Sequence, residues 1–187
     1  MSVTAAEVLA EATSRYGEAL DAEHLGETYQ SMIAMAERSA GGVFYTPEPV
    51  ARAMTTFALE QAIRQDGSGD PQRILRIVAC DPSCGCGVFL AAAARLLATH
   101  YAGRLFGRQP SAAQVFAVMP TVVMWCVFGI DIDPVAVELA RVAVSIETGG
   151  TIPPDALLRH IVCGNPLDGD SPPAMEDRLG KQEETDD

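Results

Sequence analysis

Positive charge is scarce in this chain. Its 187 residues hold one lysine, Lys181, and 13 bases in all against 25 acids, a formal charge of −12. The deficit sits at the two ends. Residues 1–40 carry seven acids and two bases, and residues 168–187 carry eight and two. The span between them is nearly balanced at ten and nine. That distribution excludes the basic face with which a protein grips nucleic acid unaided, so no strong DNA-binding surface is expected. Long apolar runs are missing too. The longest, Val115 to Ile130, is interrupted by Pro120, and no membrane span is read. The opening residues lack a basic, apolar leader pattern, and a cytoplasmic location is expected. Five cysteines (80, 84, 86, 126 and 163) make an odd number in apolar context, which fits reduced thiols. Cys84-x-Cys86 lacks a zinc spacing, so no metal site is expected and the thiols read as small buried side chains. His24, His100 and His160 have no acid or cysteine at a telling distance, which leaves no histidine base.

What is present centres on Cys80-Asp81-Pro82-Ser83-Cys84-Gly85-Cys86-Gly87-Val88-Phe89-Leu90. The β-rich run Ile74–Cys80 precedes it and a strongly helical run follows, to about Tyr101. Two glycines and an acid therefore stand at a strand-to-helix turn, where parallel α/β sheets hold cofactors. Glycine at 85 and 87 permits a tight turn and close approach of a ligand. Asp81 favours an ammonium or hydroxyls over a phosphate, which would want bare backbone N–H groups. The three spaced glycines of the dinucleotide fingerprint are absent. A Gly-x-Gly by itself equally suits a purely structural turn, but two further stretches agree with the ligand reading.

Before this centre, Thr4-Ala5-Ala6-Glu7 reads as a capping box opening a first helix. A second spans about Asp21 to Arg38, and together they read as a helical appendage over 1–40. Thr46 reads as the cap, and Pro47 as the first residue, of a helix to about Ile63. After the glycine turn, Ser111 caps a helix expected to end near Pro120. Strand two is expected at Met124 to Ile130, ending in Asp131-Ile132-Asp133-Pro134, and Pro134 opens a helix to about Glu147. Strand three, His160–Cys163, ends in Gly164-Asn165-Pro166-Leu167. Residues 168–187 read as an acidic, disordered tail. Three strands alternating with helices make half of a doubly wound α/β fold.

One ligand accounts for all three strand ends. Asp81 offers an acid for an amine, Asp131 an acid for the hydroxyls of a ribose, and Asn165 an amide for an adenine edge. Those needs describe S-adenosylmethionine (SAM). Asp133 reads as the cap of the helix at Pro134 rather than as the ribose acid.

Four stretches in order then resemble the SAM-binding half of the DNA adenine amino-methyltransferases of the restriction–modification type. They are Phe44-Tyr45-Thr46-Pro47, Asp81-Pro82-Ser83-Cys84-Gly85-Cys86-Gly87-Val88-Phe89-Leu90, Phe128-Gly129-Ile130-Asp131-Ile132-Asp133-Pro134, and Cys163-Gly164-Asn165-Pro166-Leu167. The resemblance covers about residues 41–167. It implies a truncated Rossmann-like class I SAM-dependent methyltransferase core of about three parallel strands, with N-terminal helices. Its cofactor site would comprise Phe44, Tyr45, Thr46, Asp81, Pro82, Ser83, Gly85, Gly87, Phe89, Asp131, Ile132, Asn165 and Pro166. Within it, Thr46 and Asp81 would contact the methionine end, Asp131 the ribose, and Ile132 and Asn165 the adenine.

The chain also departs from that family. Asn-Pro-Pro-Tyr/Phe, which holds the target amino group, does not occur in these residues, and Asn165-Pro166-Leu167 lacks the aromatic. Cys86 stands where serine is usual. In the family, strand one lies between strands two and four; without a fourth strand its apolar edge is exposed. A second copy, a partner chain or the N-terminal helices are expected to cover it. The reading at this point is a SAM-binding, methyltransferase-like protein acting on a small molecule or on SAM itself, with Tyr45 as the nearest helper for chemistry. A subunit or fragment of a DNA adenine methylase completed by a partner is one alternative. A non-catalytic SAM-binding protein is the other.

Overall fold

Three short parallel strands form the centre: β1 (Ala79–Asp81), β2 (Val127–Asp131) and β3 (Ile161–Cys163), in the order β1-β2-β3. The computed structural model describes residues 3–33, 46–65, 69–107 and 109–183. In register, Asp81 lies opposite Gly129, and Asp131 opposite Cys163. All five residues of β2 are buried, so this strand carries the core. The parallel arrangement agrees with the α/β core expected from sequence.

Eight helices surround the sheet among the described residues. They are α1 (Ala5–Tyr16), α2 (Ala22–Met32), α3 (Glu48–Gln65), α4 (Pro71–Ile74), α5 (Val88–Phe106), α6 (Ala112–Cys126), α7 (Pro134–Glu147) and α8 (Pro173–Glu183). The capping box forms as read: Glu7 N–H donates to Thr4 Oγ1, and Thr4 N–H to Glu7 Oε2 at 2.9 Å. Asp21 caps α2. The stretch 34–38 expected to extend α2 lies outside the described residues.

Four boundaries differ from the sequence reading. Helix α3 begins at Glu48; the Pro47 carbonyl accepts from Ala51 N–H, so Pro47 takes the capping position expected of Thr46. Strand one is much shorter than Ile74–Cys80. Asp70 and Pro71 start the turn of helix α4, with Gln72 N–H on Asp70 Oδ1, and Ile74 belongs to that turn. Helix α6 runs through Pro120 to Cys126, so Met124 to Cys126 are helical and β2 starts only at Val127. Val118, Met119, Val122, Val123 and Cys126 are all buried, a helical spacing, and α6 packs along α5. That packing outweighs the hydrogen bond lost at a proline, about 3 kcal/mol.

The fourth difference is the tail. Residues 173–183, expected to lack structure, form α8. Arg178 holds it down: its guanidinium sits 4.6 Å from the Trp125 ring centroid and donates to the Leu75 carbonyl at 2.6 Å. Replacing Arg178 by alanine is expected to cost about 1–2 kcal/mol. Limited digestion by proteinase K should then cut ahead of Pro173 in the variant and spare the parent.

Helices α1 and α2 are packed onto the α/β part. Val8, Ala12, Leu25 and Tyr29 share a buried cluster with Ala136, Leu139 and Ala143 of α7 and Ala91 of α5. Across the molecule Arg95 of α5 makes a bidentate pair with Glu147 of α7, at 2.6 and 2.7 Å. These contacts fix α7, and with it the end of β2.

Candidate functional site

The site grows from the ends of β1 and β2. Gly85 and Gly87 both adopt the left-handed region, at φ 50° and 91°, and reverse the chain between β1 and α5. The turn closes on the neighbouring strand: Cys84 N–H donates to the Ile130 carbonyl at 3.0 Å, and Gly85 N–H to Asp131 Oδ2 at 2.8 Å. Asp131 Oδ1 accepts from Asp133 N–H at 2.9 Å. Asp131 thus sits 9% exposed with one backbone donor on each oxygen. A carboxylate has about four lone-pair positions, so acceptor capacity is left for a ligand's hydroxyls.

Asp81 is half-buried at the end of β1, with Ser83 N–H on its Oδ1 at 3.0 Å. Burial pushes its carboxyl above the usual range and the Asp131 charge pushes in the same direction, partly offset by the Ser83 hydrogen bond. Two acids therefore stand at the ends of adjacent strands. A raised carboxyl pKa means that ionising Asp81 costs native stability: stability is greatest below the unfolded value and falls as pH rises through the folded one. Asp81→Asn, which keeps an acceptor for Ser83, is thus expected to raise the melting temperature of the unliganded protein at neutral pH. Its affinity for a cationic ligand should fall about tenfold or more. Thermal scans with and without ligand read both effects.

Asp133 caps α7, accepting from Val135 N–H at 2.9 Å and Ala136 N–H at 3.4 Å, as its sequence position suggested. Ile132 beside it is 63% exposed, an unusual place for isoleucine and free to pack against a flat ligand. Asn165 lies past β3, whose end is tied to the site by Gly164 N–H on the Asp131 carbonyl at 2.9 Å. Its amide serves its own turn: Oδ1 accepts from Leu167 N–H at 3.1 Å, and Nδ2 donates to Asp168 Oδ2 at 2.8 Å. Pro166 opens the short 3-10 turn that follows. Thr46 is half-buried ahead of α3, whereas Phe44 and Tyr45 lie outside the described residues.

Asp81, Pro82 and Phe89 also face a groove of about 360 Å³ on the outer side of β1. Its other wall is α3, through Met54, Thr55, Ala58 and Leu59. The N-terminal helices, one of the three expected covers for this edge, do not line it; their buried cluster lies against α7. Met54 and Phe57 on α3 are 56% and 87% exposed.

The thiols around the turn are poor nucleophiles. Burial pushes Cys84 up, with the Asp81 and Asp131 charges adding to the effect, and pushes Cys86 up to about 12, with the Asp133 and Asp131 charges adding. His160 is buried, stacked on Phe128, with Nε2 at 3.1 Å from the Met124 carbonyl; burial lowers its pKa and its role is packing. Among the described residues no group of three or more His, Cys, Asp or Glu side chains is placed to hold a metal ion. No described helix is long and apolar enough to cross a membrane.

Sequence reasoning missed one residue at this site. Tyr29 of α2 donates from its hydroxyl to Asp133 Oδ2, a contact between residues 104 apart in the chain. Nothing in the local sequence of α2 marked a partner so distant.

Compared with known families, the chain matches the model for the N-6 DNA methylase family over residues 20–151. That span runs from the start of α2 to just past α7, and includes Asp81, the glycine turn and Asp131. No curated protein and no solved structure matches the chain.

Proposed function

The chain belongs to the N-6 DNA methylase family, and from that premise we propose that it binds SAM at the carboxyl ends of β1 and β2 as the methyl-donor half of a DNA adenine methyltransferase. The observation that carries this reading is that Asp81 and Asp131 stand at the carboxyl ends of adjacent parallel strands, beside a glycine turn that Asp131 itself closes. The family's methyl donor in general is SAM. Its ammonium would lie against Asp81, its ribose hydroxyls on the free lone pairs of Asp131, and its adenine over Ile132. Asn165 would meet the adenine amino group through the remaining lone pair of its amide oxygen. In the bound state SAM supplies an activated methyl group on a sulfonium.

What these residues do is hold the donor and fix its direction. The target base needs acceptors and a stacking aromatic, which the Asn-Pro-Pro-Tyr/Phe motif would bring and this sequence does not contain. The groove beside β1 supports the view that a further segment or partner completes the acceptor side there. β1 is the outer strand of the described sheet, and apolar walls stand beside it on α3 and α5. A second reading, transfer to a small molecule, draws support from the charge of −12 and the single lysine, which disfavour a DNA duplex.

Photo-cross-linking of methyl-labelled SAM, followed by peptide mapping, tests the donor site. Label is expected on peptides covering 81–90 and 131–133, and excess S-adenosylhomocysteine should abolish it. Label elsewhere, or label that the competitor does not displace, would contradict the assignment. Label that passes to added oligonucleotide without any second chain would contradict the need for completion.

A further inference from the structure

Among the described residues, Tyr29 ties the N-terminal helices to the acids of the site by a hydrogen bond. Tyr29 is 5% exposed, and Leu25 and Tyr29 anchor α2 against α7. The Tyr29 hydroxyl donates to Asp133 Oδ2, while Asp133 Oδ1 holds the first N–H groups of α7. The backbone N–H of Asp133 in turn donates to Asp131 Oδ1, and Gly85 N–H to Asp131 Oδ2. Burial and the neighbouring Asp133 charge raise the Tyr29 pKa, so the hydroxyl keeps its proton and remains a donor. The series Tyr29–Asp133–Asp131–Gly85 thus links a helix outside the sheet to the turn between β1 and α5.

We propose that Tyr29 is a positioning residue: by fixing the Asp133 carboxylate it sets the Asp131–Asp133 turn, and thereby the orientation in which Asp131 meets the ribose hydroxyls of SAM. The inference rests on the SAM reading above for its ligand, and on the hydrogen bonds alone for its geometry. In the unliganded protein the turn has a donor on each Asp131 oxygen, so its freedom depends on what holds Asp133. Without the Tyr29 hydroxyl, the Asp133 carboxylate keeps the α7 cap on Oδ1 but loses the donor that holds Oδ2. Linkage makes the effect reciprocal: if docked α2 improves SAM binding, bound SAM must tighten the docking of α2.

The test compares Tyr29→Phe with Val8→Ala, using SAM titration, melting temperature and amide hydrogen exchange. Val8 is fully buried in the same cluster, and its apolar side chain takes no part in the hydrogen bonds of the series. Tyr29→Phe is expected to weaken SAM on the order of tenfold, as loss of an orienting hydrogen bond behind a ligand-binding group does elsewhere. It should also speed exchange at the Gly85 and Asp133 amides in the unliganded protein. Val8→Ala should lower the melting temperature and leave both affinity and those two amides unchanged. SAM should slow exchange across α2 in the parent and not in Tyr29→Phe. Equal affinity in Tyr29→Phe and parent overturns the proposal. So does an equal loss in both variants, which would make Tyr29 an ordinary packing residue. If the parent itself fails to bind SAM, the donor-site reading falls. The exchange at Gly85 and Asp133 then still decides the geometry: faster exchange in Tyr29→Phe alone upholds the positioning role, and unchanged exchange overturns it.

Discussion

Asp131→Ala abolishes measurable SAM binding, with an expected loss of at least about 100-fold, or roughly 3 kcal/mol. Two effects add. The ribose hydroxyls lose a charged acceptor, and bonds to charged groups contribute about 1.5–3 kcal/mol. The protein also loses the partner of Gly85 N–H and Asp133 N–H. Each donor left without an acceptor costs about 1–3 kcal/mol where water cannot reach it. The variant is therefore expected to melt lower as well as to bind poorly. Asp131→Asn separates the effects, because the amide oxygen can keep one of the two backbone donors. It should recover part of the stability and little of the affinity. A titration of both variants, beside their melting curves, reads the difference. An alanine variant that binds SAM like the parent would remove Asp131 from the site.

Gly87→Ala carries the largest expected effect on stability, about 3–4 kcal/mol, from strain and overpacking together. The residue sits at φ 91° and ψ 16°, where an L side chain is strained by roughly 1–2 kcal/mol. A Cβ there would also come within 3.0 Å of the Ala140 Cα and 3.3 Å of its carbonyl oxygen. Those atoms are backbone of α7 and cannot swing aside, so α5 and α7 would have to separate. Gly85 supplies the control. It too has a positive φ, of 50°, but a Cβ added there meets nothing within 4 Å. Gly85→Ala should therefore show the strain alone, on the order of 1 kcal/mol. Urea unfolding of the two variants tests the contrast, and equal destabilisation would contradict the close approach of α5 to α7. A loss of 3–4 kcal/mol is a large share of the usual stability of about 5–15 kcal/mol.

The features legible in the sequence were those whose cause is local. Thr4 and Glu7 stand three apart and cap a helix through each other's backbone. Asp133 precedes Pro134 and caps α7 within three residues. The glycines at 85 and 87 take the turn their lack of Cβ allows. Features decided by packing at a distance were not legible. Thr121-Val122-Val123 is β-branched and suits a strand, yet its buried face repeats with helical spacing against α5, and α6 continues through Pro120. Ile74–Val78 is equally β-rich, but the Asp70-Pro71 start converts its first residue to helix. The acidic tail gave no reason to fold, because its anchor depends on Trp125 and Leu75, both far away in sequence. The candidate site divides along the same line. Its acids announced themselves at strand ends, whereas Tyr29 and the internal engagement of the Asn165 amide became visible only in three dimensions.

Calorimetric titration of the parent protein with SAM, on a sample whose mass in solution is measured at the same time, tests the central claim most directly. The account predicts saturable binding of one SAM per chain, together with an association that covers the β1 edge or a partner required to complete it. A well-folded, monodisperse sample that releases no heat and takes up no SAM would contradict it.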